Sequence, residues 1–310
     1  MIDPTRTIGL DTVISECTEI LSPVFKKAAR EEASHVIADY LSVSLSKVRL
    51  DMDRIWISSE QRTHIFERVN RRKNREPLQY IAGSAWFMGE MFHVGKGVLI
   101  PRPDTEILVE EALRIAQQII PKEAGAFGFL EFCTGSGCIA LSFIKKMKEA
   151  GFKPTGIATD ISAEALSYAA KNAQRLGLAD DIIFIQKDLL AGEPGSLSTM
   201  PPAAKGSLPM ILANPPYIRS DVIPALEPEV ASYEPSLALD GGPDGFLFYR
   251  RILEHAAVLL SPGGWILLEI GYDQKDGIMD MLQKTDQYDI VFIKKDYGGN
   301  PRVAIAKKKG

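Results

Sequence analysis

From residue 128 to the C-terminal end, short apolar runs alternate with segments of helical periodicity, and this alternation restricts the fold more than any other feature of the sequence. The apolar runs lie at 128–132, 155–159, 182–185, 210–213, 265–270, 290–293 and 303–306. Helical segments separate several of them, at about 137–149, 162–176 and 246–260. Such alternation predicts a mostly parallel β-sheet with helices on both faces, which is an α/β fold. A stretch rich in Gly, Pro, Ser and Ala at 191–208 is typical of a loop.

The first 80 residues or so have a different pattern, which is typical of a small helical bundle. Apolar residues recur three and four positions apart around 11–29 and 31–42. A third helix is predicted to begin at Ser58, because Ser58 and Gln61 have the spacing of a capping box. Amphipathic helices of this length bury their apolar faces against one another, so a bundle is the expected arrangement.

An aromatic, glycine-rich stretch joins the two regions. It contains Trp86, Phe87 and Phe92, with glycines among them. Aromatic residues favour strands and glycine favours the turn between them, so a β-hairpin is predicted. We therefore expect three parts: a helical N-terminal domain over 1–79, a hairpin linker over 80–100 and an α/β domain over 101–310.

A basic cluster at 70–75 ends the last helix of the N-terminal region. Positive charge is favourable near a helix C-terminus, where the helix dipole is negative, so a solvated helix end is one interpretation. A contact with an acidic or RNA-bearing partner is the other. The sequence leaves both interpretations open.

The composition argues against several classes of protein. The chain has 310 residues, of which 45% are hydrophobic and 25% charged, close to a globular average. No apolar run is long enough to cross a membrane, and the N-terminus lacks a secretory signal. A formal net charge of -4 disfavours a nucleic-acid substrate. The three cysteines have spacings that fit neither a zinc site nor a disulfide framework, which indicates reduced thiols in a cytoplasm and no bound metal.

A glycine turn follows the first predicted strand of the α/β domain. Gly135 and Gly137 allow the backbone to approach a ligand closely at the carboxyl end of a strand, where open α/β sheets bind ligands. The turn is not a dinucleotide fingerprint, because Cys133 and Ala140 occupy two positions where that fingerprint has glycine. The residues predicted to contact a cofactor here are Glu131, Phe132, Cys133, Thr134, Gly135, Ser136 and Gly137.

Acidic residues follow the next two predicted strands. Asp160, with Ile161 after it, ends the second strand and is placed to accept both hydroxyl groups of a ribose. Asp188 and Leu189 follow the third strand, where they would meet an adenine. A pyrophosphate would add negative charge beside these acids and Glu131, whereas a sulfonium cofactor is positive. The pattern therefore favours a sulfonium nucleoside.

The fourth predicted strand is followed directly by Asn214-Pro215-Pro216-Tyr217. Two prolines have no backbone N–H and cannot continue a central strand, so they fix the chain and leave the carbonyls of Asn214 and Pro215 as acceptors. The Asn214 side chain adds an acceptor, and Tyr217 adds a planar face for stacking. Two acceptors that hold both hydrogens of an amide turn its lone pair toward a methyl donor. We assign these four residues to catalysis and substrate binding, with Asn214 also beside the cofactor.

These motifs resemble those of the HemK/PrmC family, methyltransferases that modify the glutamine of the Gly-Gly-Gln motif in class I peptide chain release factors. The resemblance extends over nearly the whole chain. Besides the glycine turn, its motifs lie at 75–83, 98–106, 214–218, 227–230, 233–245 and 269–272.

The resemblance implies S-adenosylmethionine as cofactor and a Rossmann-like, seven-stranded catalytic domain. It implies that the helical N-terminal domain helps to hold the release factor, and that Arg102 and Thr105 contact the substrate. One departure stands out: relatives have aspartate and glycine where this chain has Glu131 and Cys133. Glutamate keeps the charge, whereas Cys133 brings a Cβ to a place where backbone passes close to the cofactor.

Three other functions are open at this point. An adenine-N6 methyltransferase of DNA or RNA has the same Asn-Pro-Pro-Tyr chemistry, but it would need a base-recognition domain and a basic cleft. A glutamine methyltransferase that acts on a ribosomal protein is the second. A non-catalytic binding module that has kept the fold is the third; the intact 214–217 motif argues against it and Cys133 argues for it.

Overall fold

The computed structural model describes residues 7–121, 126–195 and 206–310. The chain forms two compact units, Met1–Ser84 with Glu227–Tyr233, and Ala85–Leu226 with Glu234–Gly310. The first six residues, where no secretory signal is expected, and most of the loop predicted for 191–208 lie outside the described residues. Within the described residues, no helix is long and apolar enough to span a bilayer.

Helices and one short ribbon make up the first unit. Its elements are β1 (Thr7–Gly9), α1 (Leu10–Phe25), α2 (Ala29–Leu41), α3 (Leu45–Leu50), β2 (Trp56–Ser58), α4 (Ser59–Lys73) and α5 (Leu78–Ala82). The predicted capping box is present at the start of α4, since the Ser58 hydroxyl accepts from the Gln61 backbone N–H at 3.1 Å and the Gln61 side chain accepts from the Ser58 N–H at 2.9 Å. Leu10, Val13 and Cys17 of α1 are spaced three and four apart and are fully buried in the core of this bundle.

A distant segment of the chain, Glu227–Tyr233, also belongs to the first unit. It contains the one-turn helix α9 (Pro228–Ala231). Arg72, near the end of α4, donates from Nη1 to Glu229 at 2.8 Å and from Nε to Glu32 at 2.7 Å. Its side chain is 8% exposed. The interpretation of the basic cluster as a solvated helix end is therefore wrong for Arg72, because its charge neutralises two carboxylates inside the unit.

The second unit is an α/β domain. Its strands are β3 (Ser84–Phe87), β4 (Glu90–His93), β5 (Ala126–Phe132), β6 (Lys153–Asp160), β7 (Ile182–Gln186), β8 (Leu208–Ala213), β9 (Leu260–Glu269), β10 (Tyr288–Lys295) and β11 (Pro301–Lys308). Its helices are α6 (Glu106–Ile119), α7 (Cys138–Glu149), α8 (Ala163–Leu176), α10 (Leu247–Leu259) and α11 (Lys275–Lys284). The stretch predicted as a hairpin holds the two-stranded sheet β3–β4.

Seven of these strands form one sheet in the order β10-β11-β9-β8-β5-β6-β7. The strands from β9 to β7 pair in parallel, whereas β11 pairs antiparallel with both β9 and β10. Leu108 of α6 and Phe143 of α7 belong to one buried core, and Tyr249 of α10 and Ile278 of α11 belong to the other. Alternate residues of β5 enter the two cores, so helices cover both faces of the sheet. The predicted Rossmann-like, mostly parallel α/β fold with a helical N-terminal region is confirmed.

The order of strands reverses at β5, with β6 and β7 on one side and β8 and β9 on the other. Open α/β sheets bind ligands in the crevice outside the carboxyl ends of the strands at such a switch point. Because β5 ends at Phe132 and β8 ends at Ala213, the glycine turn and Asn214 both begin at this crevice.

Candidate active site

A cavity of about 330 Å³ opens at the carboxyl ends of β5, β6, β7 and β8. Sites for small ligands are commonly of this size. The predicted site residues that line it are Arg102, Thr105, Cys133, Thr134, Gly135, Ser136, Asp160, Ile161, Asp188, Leu189, Asn214 and Pro216. The predicted site residues that do not line it are Glu131, Phe132, Gly137, Pro215 and Tyr217. The structure thus brings the glycine turn, both acidic strand ends and Asn214 to one cavity.

The glycine turn between β5 and α7 is built from left-handed backbone. Gly135 and Gly137 have φ values of 56° and 77°. A Cβ on Gly137 would lie 3.1 Å from the Leu141 side chain and 3.2 Å from that of Ala169, so close packing as well as φ favours glycine there. Gly137 therefore shapes the turn without facing the cavity.

Asp160 ends β6 and is tied to the backbone on both sides. Its Oδ2 accepts from the Gly135 N–H at 2.8 Å, and its Oδ1 accepts from the Ser162 N–H at 2.9 Å. Burial raises the pKa of this carboxyl group, and hydrogen bonds from backbone N–H groups lower it in part. Each carboxylate oxygen keeps a further lone pair, so Asp160 is able to accept from two hydroxyl groups of a ligand.

The residues after β7 form the next part of the cavity wall. Asp188 is exposed, and its Oδ1 accepts from the Leu190 N–H at 2.8 Å, which fixes the start of the loop. Leu189 is buried and lies against the core on the α10 face of the sheet. An apolar side chain beside an exposed carboxylate suits a ligand with a flat apolar ring and polar edges.

Helix α10 supports this loop with two side chains that the sequence did not reveal. The Nδ1 of His255 accepts from the Gly195 N–H at 2.9 Å, and the Nε of Arg251 donates to the Leu189 carbonyl at 3.0 Å. Burial, together with the nearby charge of Arg251, lowers the pKa of His255. A neutral imidazole keeps Nδ1 as an acceptor, so the loop remains attached at neutral pH.

Asn214 follows β8 directly and is half-buried at the cavity. Its side-chain Nδ2 donates to the Thr105 hydroxyl at 3.3 Å. This donation leaves the side-chain oxygen as the group that the amide can present to the cavity. Pro215 and Pro216 are buried and fix the backbone that follows this acceptor.

The residues that fix the position of Tyr217 do not line the cavity. Its hydroxyl donates to Glu269 Oε1 at 3.2 Å, and its carbonyl accepts from the Gln274 side chain at 3.0 Å. A Cβ on Gly241 would lie 2.7 Å from the Tyr217 Cα, so a glycine is required beside this turn. Three separate parts of the chain therefore fix the position of Tyr217.

Comparisons with known proteins decide the family. The family model described as the PrmC N-terminal domain matches residues 13–83. The chain is 38% identical over 277 residues to a release factor glutamine methyltransferase of Thermodesulfovibrio yellowstonii, covering 89% of this chain and 92% of that protein. It is 37% identical over 270 residues to a release factor glutamine methyltransferase of Clostridium acetobutylicum, covering 84% of this chain and 88% of that protein. The chain belongs to the release factor glutamine methyltransferase family.

A solved structure agrees on the fold. The catalytic domain of hMettl16, crystallised with a hairpin of the MAT2A 3′ untranslated region, matches 81% of this chain and 82% of its own with a TM-score of 0.51. The sequence identity is 13%, so this likeness is one of fold alone. The relatives of this chain are named as enzymes, which argues against the alternative of a non-catalytic binding module.

In this methyltransferase Glu131 supports the glycine turn from beneath. Its side chain is fully buried, and its Oε2 accepts from the Thr134 hydroxyl at 2.6 Å and from the Ala140 N–H at 3.2 Å. Burial raises the pKa of Glu131 to about 8. The prediction placed Glu131 and Phe132 against the cofactor, but both point into the core, because the last residues of β5 are covered on both faces.

The rim of the cavity contains an ion pair. Arg102 binds Glu234, whose side chain is 1% exposed. The other Glu234 oxygen accepts from the Ile100 N–H at 3.2 Å. Arg102 lines the cavity, and its charge neutralises a buried carboxylate that joins two rim segments of the methyltransferase cavity. Its contact with the substrate stays a prediction.

Proposed function

We propose that this methyltransferase transfers the methyl group of S-adenosylmethionine to N5, the side-chain amide nitrogen, of the glutamine in the Gly-Gly-Gln motif of class I peptide chain release factors. The observation that carries the proposal is the position of Asn214, which lines the same cavity as Asp160 and Asp188. Family membership supports the choice of acceptor, because the relatives are named release factor glutamine methyltransferases.

The residues around the cavity fit a sulfonium nucleoside. Asp160 offers acceptors for a ribose, and Asp188 with Leu189 offers a carboxylate and an apolar contact for an adenine. Left-handed backbone at Gly135 lets the turn approach the ligand without a side chain in the way. When bound, S-adenosylmethionine supplies a methyl group on a positive sulfur: the new N–C bond forms as the C–S bond breaks with its electron pair left on sulfur, and the amide nitrogen loses one proton to water.

The protein's task is to aim the amide nitrogen. An amide lone pair is delocalised into the carbonyl group, so the free amide is a poor nucleophile. The Asn214 side-chain oxygen, which lines the cavity, is assigned to accept one of its hydrogens. The Pro215 carbonyl, next in the chain but outside the lining, is assigned to the other hydrogen, and together the two acceptors turn the lone pair toward the methyl group. The ring of Tyr217, which does not line the cavity, is assigned to stack on the planar amide of the bound substrate. Aimed acceptors also stabilise the positive charge that develops on the nitrogen as the new bond forms.

The helical domain, for which we propose the bounds 1–79, is assigned to holding the release factor. Over its described residues, from 7 onward, Leu50 is 80% exposed and Trp56 is 63% exposed, and large apolar side chains of this kind are buried in protein interfaces. The proposed hairpin linker over 80–100 and catalytic domain over 101–310 complete the assignment. The cysteines Cys17, Cys133 and Cys138 are all free, which supports action in a reducing cytoplasm.

A comparison of acceptors tests the proposal. The protein is incubated with methyl-tritiated S-adenosylmethionine and a class I release factor, the same factor with its Gly-Gly-Gln glutamine changed to asparagine, a ribosomal protein mixture, or DNA. We expect label on the unaltered release factor only, because asparagine is one methylene shorter and its amide is out of line. Label on the ribosomal proteins or on DNA, with none on the release factor, would overturn the proposal.

A further inference from the structure

A buried carboxylate lies behind the Asn-Pro-Pro-Tyr motif and has no part in the mechanism above. Glu269, the last residue of β9, is 2% exposed and does not line the cavity. Its Oε1 accepts from the Tyr217 hydroxyl at 3.2 Å. Its Oε2 has no partner with full hydrogen-bond geometry in the described part of the chain, and the neighbouring Thr105 hydroxyl is the donor that can serve it. A buried carboxylate oxygen is costly unless a donor serves it.

Thr105 connects this carboxylate with Asn214. It lies just before α6, is 2% exposed, and its hydroxyl accepts from Asn214 Nδ2 at 3.3 Å. A hydroxyl group has one proton. If that proton points to Glu269, only lone pairs face Asn214. The Asn214 amide must then turn its NH2 group to Thr105 and its oxygen to the cavity.

We propose that Glu269 is a positioning residue that acts through Thr105 to hold the Asn214 amide with its oxygen toward the substrate. The inference rests on the proposed function, in which that oxygen accepts a hydrogen of the target amide. Without the Glu269 carboxylate, the Thr105 proton is free to turn toward Asn214, and the Asn214 amide is free to flip. A flipped amide presents NH2, which cannot accept a hydrogen from the target NH2.

Glu269 also restrains the ring of Tyr217, to which stacking on the target amide is assigned. Because its Oε1 accepts from the Tyr217 hydroxyl, one carboxylate fixes both the amide acceptor and the aromatic ring of the motif. The two restraints reach the motif from opposite ends, through Thr105 at Asn214 and directly at Tyr217. Loss of the charge on Glu269 is therefore expected to lower turnover rather than cofactor binding.

The protonation of Glu269 makes this arrangement sensitive to pH. Burial raises the pKa of Glu269 to about 7, while hydrogen bonds from Thr105 and Tyr217 and the charge of Arg302 lower it. Asp104 is the other charged group that acts on it, and it raises the pKa. The remaining titratable neighbours are Tyr249, whose hydroxyl donates to the Glu269 backbone carbonyl, and the buried thiol of Cys138. Above its pKa the carboxylate has an acceptor oxygen for each hydroxyl; below it, the added proton takes one of those acceptor positions.

Steady-state methylation of a release factor tests this inference, with wild type, Thr105→Val, Thr105→Ser and Glu269→Gln compared from about pH 6 to about pH 9. Valine keeps the shape of threonine without its hydroxyl, whereas serine keeps the hydroxyl and is the matched control. We expect Thr105→Val and Glu269→Gln to lower kcat about tenfold at high pH, the value of one aimed hydrogen bond. We expect Thr105→Ser to keep most of the wild-type kcat. Calorimetry should show little change in affinity for S-adenosylmethionine in all three variants.

The pH profile separates positioning from simple damage to the fold. Wild-type kcat should fall as the pH drops through about 7, and this step should be absent in Thr105→Val and Glu269→Gln. A kcat of Thr105→Val equal to that of the wild type, or the same pH step in all four proteins, would overturn the inference while leaving the proposed function intact. A wild-type protein that does not methylate the release factor at any pH would overturn the proposed function and, with it, this inference.

Discussion

The Asp160 carboxylate and the Gly135 backbone N–H are joined by a hydrogen bond of 2.8 Å across 25 residues of sequence. The bond connects the end of β6 with the turn that follows β5, two strands that pair in parallel. One carboxylate therefore both orders the glycine turn and faces the cavity. The two elements that the sequence analysis assigned to a cofactor therefore form one edge of the cavity.

Asp160→Ala is expected to weaken the binding of S-adenosylmethionine. The variant removes the two acceptors that we propose for the ribose and also releases the Gly135 N–H. Each charge-assisted hydrogen bond contributes about 1.5–3 kcal/mol, so a loss of at least tenfold in affinity is expected. Isothermal titration calorimetry measures this directly, and Asp180→Ala, which removes an exposed carboxylate outside the cavity lining, is a suitable control. An unchanged dissociation constant for S-adenosylmethionine in Asp160→Ala would show that the assignment of Asp160 to the cofactor site is wrong.

Cys133→Gly is expected to leave cofactor binding unchanged or to tighten it. Cys133 has φ of 57°, a left-handed conformation that costs a residue with a Cβ about 1–2 kcal/mol and costs glycine little. The resemblance to the HemK/PrmC family implies glycine at this position, and the variant introduces it. Cys133→Ala keeps the strained Cβ and removes only the thiol, which makes it the matched control. A large loss of affinity in both variants would mean that the thiol packs usefully against the ligand.

The buried Glu131 is expected to make the stability of the folded protein depend on pH. Its pKa in the folded protein is raised to about 8 from the ordinary 4.5. A raised carboxyl pKa means that the folded state holds the proton more tightly, so this contribution to stability is complete below about 4.5 and is lost as the pH rises through about 8. Glu131→Gln cannot ionise, and the difference in melting temperature between variant and wild type should shift in favour of the variant as the pH rises. Thermal denaturation without cofactor would contradict this account if that difference were the same at acid and alkaline pH.

The fold was predictable because its signal is local and repeated. The seven strands of the sheet each carry enough apolar residues in a row to be recognised. The ribbon between Thr7–Gly9 and Trp56–Ser58 was missed, since a strand of three residues has too little alternation to stand out. The capping box at Ser58 was predicted correctly because both of its partners lie within four residues.

The site was predictable in its parts but not in its contacts. A strand end identifies Asp160 and Asn214 as candidates, yet it does not say which way a side chain turns. Glu131 was placed against the cofactor and instead lies in the core. Contacts between residues that are distant in sequence have no local sequence pattern that would predict them. Arg72 and Glu229 are 157 residues apart and Asn214 and Thr105 are 109 apart, and only the folded chain brings either pair together.

The central claim is that Asn214 accepts a hydrogen of the target amide, and its replacement by alanine tests this most directly. The loss of one aimed partner typically costs about 10²–10³ in rate, so Asn214→Ala should fold normally and lose most of its turnover on a release factor. Cofactor affinity, measured on the same samples, should fall only modestly, since Asp160 and Asp188 remain. Mass spectrometry of the release factor gives both the rate and the place of methylation. The account predicts a single methyl group on the side-chain amide of the Gly-Gly-Gln glutamine with wild type and very little with Asn214→Ala. Equal rates for the two proteins, or a methyl group on any other atom, would contradict it.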